Sequence, residues 1–105
     1  MTEKIKISSL RKFDIVDYLD SDEAIAEYLT EMIGEDSPDV FMAALGDVAR
    51  ARGMTDIAAA AGLGRESLYK ALRSGSEPKF DTIRRVCAAL GLRLAVVPDN
   101  EHEAA

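Results

Sequence analysis

The stretch AAAAGLGRESLYKALRSG, residues 58–75, decides the fold. Four alanines precede two glycines that flank a leucine, and three cationic side chains follow: Arg65, Lys70 and Arg73. Small side chains let two backbones approach closely, and glycine adopts positive φ without a steric cost. The pattern therefore predicts two short helices joined by a tight turn, the second of which presents cationic side chains to solvent.

This pair of helices is predicted in detail from its small residues. Thr55 is expected to cap the first helix, with Ala58 at the crossing point and Ala61 packed just before the bend. Gly62 is expected to leave the helix with positive φ. The second helix is predicted from about Arg65 to Arg73.

Three further helices follow from cap signals and apolar periodicity. One begins at Asp20–Glu23 and ends at Gly34, one runs from Ser37–Pro38 to Gly53, and one lies within 78–91. Their predicted inward stripes are Ile25, Tyr28, Leu29, Met32 and Ile33; Phe41, Ala44, Leu45, Val48 and Ala49; and Phe80, Ile83, Val86, Cys87 and Leu90. Tyr28, Met32 and Phe41 have the spacing of core residues, although the same stripe could instead face a partner.

Both ends of the chain show strand-like patterns. Lys4–Ile7 alternates in polarity, and Leu92–Val97 contains four β-branched or Leu residues among six before Pro98. Phe13–Leu19 is apolar enough for a helical turn or two. The expected fold is thus mainly all-α, with five helices and short terminal β-strands.

Composition limits the possible functions. The 105 residues contain one Cys and one His, which excludes an internal disulfide and disfavours a zinc site. The chain has no long apolar run and no cationic leader, so a cytoplasmic protein without membrane contact is expected. Ser67 and Ser74 have no His near them in sequence, and His102 lies in a polar tail. We expect no enzyme, no metal and no cofactor.

Charge is unevenly distributed along the chain. Residues 1–52 carry six basic and twelve acidic side chains, residues 53–97 carry seven basic and four acidic ones, and three further carboxylates follow, which gives a net charge of −6. Such asymmetry predicts two faces with two kinds of partner. The alternative is an ordinary solvated surface.

The motif residues resemble two families. The first resemblance is to the phage Cro and repressor type of helix-turn-helix. It is carried by Thr55-Asp56-Ile57-Ala58-x-x-Ala61-Gly62-Leu63-Gly64-Arg65-x-x-Leu68-Tyr69-Lys70-x-Leu72, Glu77-Pro78 and Ile83-x-x-Val86-x-x-Ala89-Leu90-Gly91. The second resemblance is to HigA-like addiction-module antidote proteins, which are type II antitoxins. It is carried by Phe13-Asp14-x-x-Asp17-Tyr18-Leu19-Asp20, Ala24-x-Ala26-Glu27-Tyr28-Leu29, Ala44-Leu45-Gly46-Asp47-x-Ala49-Arg50-Ala51-Arg52-Gly53-Met54 and Gly91-Leu92-Arg93-Leu94. Together they cover about residues 13–98. The chain departs from the common pattern at Gly64, where Ser or Thr is usual, and at Asp56, where Gln is common.

The resemblance implies a five-helix Cro/repressor-like domain and an organisation in three parts. Residues 1–36 would form an acidic, partner-facing arm and helix, residues 37–98 a DNA-binding domain with its C-terminal strand, and residues 99–105 a flexible tail. It also implies an antitoxin that neutralises a small basic RelE/ParE-type toxin and represses its own operon. The alternatives are a stand-alone phage- or plasmid-type regulator without a toxin, and an adaptor that binds only protein.

Within such a motif, the second helix enters the DNA major groove. Arg65, Glu66 and Lys70 share its outward face and are predicted to read bases of operator DNA. The competing interpretation is a solvated face with a Glu66–Lys70 ion pair. Predicted contacts to the DNA backbone are Thr55, Gly64, Ser67, Tyr69, Arg73 and Lys79. Arg84 and Arg85 are expected to be surface charges.

A homodimer is expected because operator-binding proteins of this type usually bind palindromes. Leu92, Leu94 and Val96 are predicted to lie at the interface, through pairing of the C-terminal strand with its copy in a second subunit. Pairing with Ile5–Ile7 of the same chain is the alternative.

Overall fold

The computed structural model describes residues 20–99, which fold into five helices. These are α1 (Asp22–Ile33), α2 (Pro38–Arg52), α3 (Met54–Ala61), α4 (Arg65–Ala71) and α5 (Phe80–Ala89). The mainly all-α prediction is confirmed over these residues. None of the described helices is both long and apolar enough to span a membrane.

The first two helices begin where their cap residues predict. The Ser21 hydroxyl accepts a hydrogen bond from the Ala24 amide at 3.1 Å, and that of Ser37 accepts one from the Asp39 amide at 3.2 Å. Pro38 is the first residue of α2, where its missing N–H leaves no helical bond unmade. Each hydroxyl satisfies a backbone donor that the first turn would otherwise leave without a partner.

One residue, Gly53, both ends α2 and begins α3. It has φ 104° and ψ 107°, and its carbonyl accepts from the Ile57 amide at 3.0 Å. The prediction that Thr55 caps α3 is therefore wrong, since Thr55 lies inside the first turn. The physical reason is that Gly53 adopts a backbone conformation that lets one helix follow another directly, without a capping side chain.

The core is built from residues of all five helices. α1 packs on α2, and α3 packs on α2, α4 and α5. The largest fully buried side chains are Ile25, Val48, Leu45, Leu68, Val86 and Leu90. The small residues Ala58 and Ala61 of α3 are buried as predicted.

Two apolar residues that the periodicity assigned to the core are exposed. Ile33 retains 59% of its accessible surface and Phe80 retains 68%. Ile33 is the last residue of α1 and Phe80 the first of α5, so each belongs to a terminal turn. The predicted stripe extends over a whole helix, whereas burial also requires a neighbouring element at that level. Tyr28 is buried as expected, and Met32 and Phe41 are half-buried.

The predicted strand at Leu92–Val97 is wrong for the single chain: residues 92–99 form no regular secondary structure. No strand lies beside this segment within residues 20–99, and an isolated strand has no ladder of hydrogen bonds. Leu92 is half-buried and packs against the core, whereas Val96 is fully exposed. The predicted strand at Lys4–Ile7 and helical turn at Phe13–Leu19 lie outside the described residues.

Candidate nucleic-acid interface

Helices α3 and α4 are joined by the three-residue turn Gly62-Leu63-Gly64. Gly62 lies in the left-handed region (φ 72°, ψ 31°), as predicted. Its amide donates to the Ala59 carbonyl at 3.2 Å, and the Leu63 amide donates to the Ala58 carbonyl at 2.9 Å. This pair of bonds is the Schellman arrangement, which satisfies the last carbonyls of α3 while the chain reverses into α4.

Helix α4 is anchored to the core by Leu68 and by Leu72 at its C-cap, and its polar residues are exposed. Leu68 is completely buried, whereas Arg65, Glu66, Ser67 and Lys70 are exposed. Because Leu68 fixes one face of α4 to the core, Glu66 and Lys70, two residues before and after it, lie on the opposite face. Arg65, three residues before Leu68, is exposed at the start of the helix on the side nearer Leu68.

A surface groove of about 630 Å³ runs along this exposed face. It is lined by Arg50, Glu66, Ser67, Tyr69, Lys70, Leu72, Arg73 and Ser74. Three cationic side chains and one carboxylate are among these residues, so the groove is positively charged although the whole chain carries −6.

Five of the predicted DNA contacts line this groove together, namely Glu66, Ser67, Tyr69, Lys70 and Arg73. The other four, Thr55, Gly64, Arg65 and Lys79, are exposed outside its lining. Gly64 is the N-cap of α4, and because it has no side chain it gives the first-turn amides no side-chain acceptor.

Arg50 lines the groove but was missed by sequence reasoning. It comes from the last turn of α2, and its Nη2 donates to Asp47 Oδ1 at 3.1 Å. A Cβ placed on buried Gly46 would lie 3.1 Å from Arg50 Nη2 and 3.4 Å from the Leu72 carbonyl oxygen. Because Gly46 has no side chain, the guanidinium of Arg50 and the backbone at the end of α4 can lie close to α2 at this point. The sequence signal that could have indicated this contact is Gly46, an isolated glycine within a helical pattern.

The cationic side chain at the start of α4 is held against its own helix. Arg65 Nη2 lies 3.3 Å from Tyr69 Oη, and Arg65 Cζ lies 5.4 Å from the centroid of the Tyr69 ring. The alternative pair, Glu66 with Lys70, forms no ion pair within 4.0 Å in the described structure.

Arg84 and Arg85 of α5 are paired with a carboxylate, as expected for surface charges. Arg84 Nη2 lies 2.6 Å from Asp81 Oδ1, and Arg85 Nε lies 2.9 Å from Asp81 Oδ2. The hydrogen bond from Arg84 is the main cause of the lowered pKa of Asp81. Both guanidinium groups are thus partly neutralised and contribute less to an anion-binding surface.

No other chemistry-bearing cluster is found in the described part of the chain. Residues 20–99 contain no group of three or more His, Cys, Asp or Glu side chains arranged to hold a metal ion. Cys87 is buried, and burial raises the pKa of its thiol, which disfavours the reactive thiolate.

Comparison with known proteins adds a family assignment. The profile of a family described as "Probable addiction module antidote protein" matches residues 9–98. A protein of Haemophilus influenzae (strain ATCC 51907 / DSM 11121 / KW20 / Rd), described as an uncharacterized protein, is 45% identical over 96 residues, which cover 91% of this chain and 94% of that protein. No solved structure matches the chain significantly.

Proposed function

The chain belongs to the family of probable addiction module antidote proteins, and on that premise we propose that it is the antitoxin of a type II toxin–antitoxin module. It binds and neutralises a small basic RelE/ParE-type toxin in the cytoplasm, and it represses its own operon by binding operator DNA. The observation that carries the DNA-binding half is the cationic groove along the exposed face of α4. The role is regulatory rather than enzymatic.

In this proposal α4 enters the major groove of the operator and its outward side chains contact base edges. Arg65 and Lys70 suit guanine, which presents O6 and N7 acceptors, and Glu66 suits the amino group of cytosine. Support comes from the exposure of all three side chains on α4.

Contacts to phosphate position the protein without reading sequence. We assign this role to exposed residues in and around α4, which are Thr55, Gly64 through its backbone, Ser67, Tyr69, Arg73 and Lys79, and we add Arg50. Arg50 of α2, Lys70 of α4 and Arg73, which follows α4, line the same groove. A groove with cations on two helices can follow the DNA backbone on one side of α4.

The operator-binding form is proposed to be a homodimer. One short recognition helix contacts too few base pairs to select a single site in a genome, and two-fold dimers solve this by binding two half-sites. Leu94 and Val96 lie on the surface at 39% and 100% exposure and supply apolar area for such an interface.

Both halves of the proposal can be tested in cells. The protein encoded by the neighbouring reading frame is expressed with and without this chain, while a reporter measures transcription from the chain's own upstream region. We expect this chain to restore growth and to lower reporter output. The variant Lys70→Ala/Arg73→Ala should restore growth but lose repression, with Arg84→Ala/Arg85→Ala as a matched control that removes two surface cations outside the groove.

The outcomes separate the two halves. If the wild-type chain does not protect cells from a neighbouring product that arrests growth, the antitoxin assignment is wrong. If it protects cells and binds no DNA from its own upstream region, the chain acts on the toxin alone. If it represses and the neighbouring product is harmless, the chain is a stand-alone regulator.

A further inference from the structure

A second groove lies on a part of the surface that shares no lining residue with the α4 groove. It measures about 430 Å³ and is formed by the end of α1, the start of α2, residues 76–78 and α5. Its apolar lining includes Ile33, Phe41, Met42 and Ile83. We call it the Ile33 groove.

Ile33 gives the groove an exposed apolar wall. It keeps 59% of its surface accessible, while Phe41, Met42 and Ile83 are half-buried and pack against the core. Single exposed apolar residues are common on protein surfaces. Here the exposed side chain stands beside three half-buried ones in one concavity, which is the composition of an interface core.

Carboxylates surround this apolar floor. Glu35, Asp36, Asp39 and Glu77 line the groove, and no Lys, Arg or His is among the described residues that do so. All four are exposed, and none is ion-paired within residues 20–99. A surface of this charge favours association with a basic protein and disfavours nucleic acid.

We infer that the Ile33 groove is the docking surface for the toxin, and that the toxin inserts an apolar side chain flanked by Lys or Arg residues. This inference rests on the proposed antitoxin function and adds the surface that performs it. The two grooves share no lining residue, but Ser74 of the α4 groove and Ser76 of the Ile33 groove are only two residues apart, so simultaneous binding of operator DNA and toxin needs its own test.

The test uses the full-length chain and the purified product of the neighbouring reading frame in titration calorimetry. Ile33→Asp places a charge on the exposed wall of the groove, and Phe80→Asp does the same at a similarly exposed residue outside it. We expect Ile33→Asp to weaken toxin binding at least tenfold and Phe80→Asp to change it less than twofold. Melting temperature and affinity for upstream DNA should be unchanged in both variants.

A second pair of variants tests the charge. Asp36→Lys should weaken toxin binding and reduce its dependence on salt, whereas Glu23→Lys, an equal charge change at the other end of α1, should not. A ternary complex of DNA, antitoxin and toxin in size-exclusion chromatography is also expected.

Four results would overturn the inference, and they have different meanings. Equal effects of Ile33→Asp and Phe80→Asp mean that the toxin binds elsewhere while the antitoxin assignment stands. Dissociation of a dimer by Ile33→Asp means that Ile33 belongs to the dimer interface, since it also lines a groove with Leu94 and Val97, and not to a free toxin-docking surface. A large drop in melting temperature means that the chain itself fills it. Failure of the wild-type chain to bind the toxin removes the proposed function as well.

Discussion

Arg65 lies across the ring of Tyr69, one turn further along α4, with 5.4 Å between its guanidinium carbon and the ring centroid. Its Nη2 also lies 3.3 Å from the Tyr69 hydroxyl. An exposed cation–π contact is worth about 0.5–1 kcal/mol, which is enough to restrict a long side chain but not to lock it. Tyr69 therefore orients the guanidinium at the N-terminal end of the proposed recognition helix, the end at which recognition helices in general contact bases.

The first prediction concerns base recognition by Arg65. Arg65→Ala should cost about 1–3 kcal/mol of operator binding and relax the preference at one base pair, because a bidentate contact to guanine is lost. Tyr69→Phe keeps the ring and removes only the hydroxyl, so it should weaken binding much less. Fluorescence anisotropy on the upstream DNA and on single-base variants measures both effects. Unchanged base preference in Arg65→Ala would show that α4 does not read the major groove at this residue.

The second prediction concerns contacts to phosphate. Arg73→Ala and Arg50→Ala should each weaken binding to all DNA sequences about equally, and each should lower the slope of log K against log salt by about one. Arg84→Ala is the control because Arg84, like Arg50, is ion-paired with a carboxylate on its own helix but lies outside the α4 groove. A change in sequence preference, without a change in salt slope, would contradict the assignment.

The third prediction concerns the packing of α3. Ala58 is 3% exposed, whereas Ala59 beside it is exposed. Ala58→Leu should destabilise the fold by about 1–3 kcal/mol through overpacking. Since about 1 kcal/mol shifts the Tm of a small domain by roughly 4–8 °C, thermal unfolding resolves this loss easily. Ala59→Leu should leave Tm nearly unchanged, and equal effects of the two substitutions would mean that Ala58 is not at a close helix contact.

The fourth prediction concerns the turn between α3 and α4. Gly62 has φ +72°, so Gly62→Ala forces a Cβ into the left-handed region, at a cost of about 1–2 kcal/mol.

Gly64 has φ −69° and ψ 150°, and a Cβ there meets nothing closer than Ser67 Oγ at 3.9 Å. Gly64→Ser should therefore stabilise α4 by a few tenths of a kcal/mol, roughly the difference between Ser and Gly at an N-cap. Chemical denaturation measures both, and a loss of stability in Gly64→Ser would show that the cap geometry is different.

The parts of this structure that the sequence predicts are those set by local chemistry. Ser21, Ser37 and Pro38 specify helix starts through bonds within four residues, and Gly62 specifies a turn through its own φ. Such signals need no knowledge of the tertiary structure. Glu66 and Lys70 are exposed for the same reason, because residues two positions from Leu68 lie on the opposite side of the helix.

The parts that the sequence missed depend on which elements meet in space. Ile33 and Phe80 fit the helical period but lie at helix ends without a covering neighbour. Arg50 is fifteen or more residues away from the α4 residues whose groove it lines, and only packing of α2 against the end of α4 reveals it. Leu92–Val97 has the composition of a strand, but a strand also requires a partner edge.

The last prediction concerns dimerisation. The segment after α5 splits into an inner and an outer part: Leu92 is half-buried against the core, whereas Leu94 and Val96 are 39% and 100% exposed. Removing the whole segment would also remove Leu92 from the fold, so a surface substitution is the sharper test. Leu94→Lys/Val96→Lys should convert a dimer into a folded monomer, because charges at these positions repel across a two-fold interface. Its Tm should equal that of the wild-type chain at concentrations where the wild-type dimer has dissociated. The Phe80→Lys protein, which carries a charge at another exposed apolar residue, should remain a dimer.

Light scattering measures the oligomeric state of each variant. The DNA affinity of the monomeric variant should be lower than that of the dimer, because a monomer binds only one half-site. A Leu94→Lys/Val96→Lys protein that remains a stable, operator-binding dimer would place the interface on another surface of the chain.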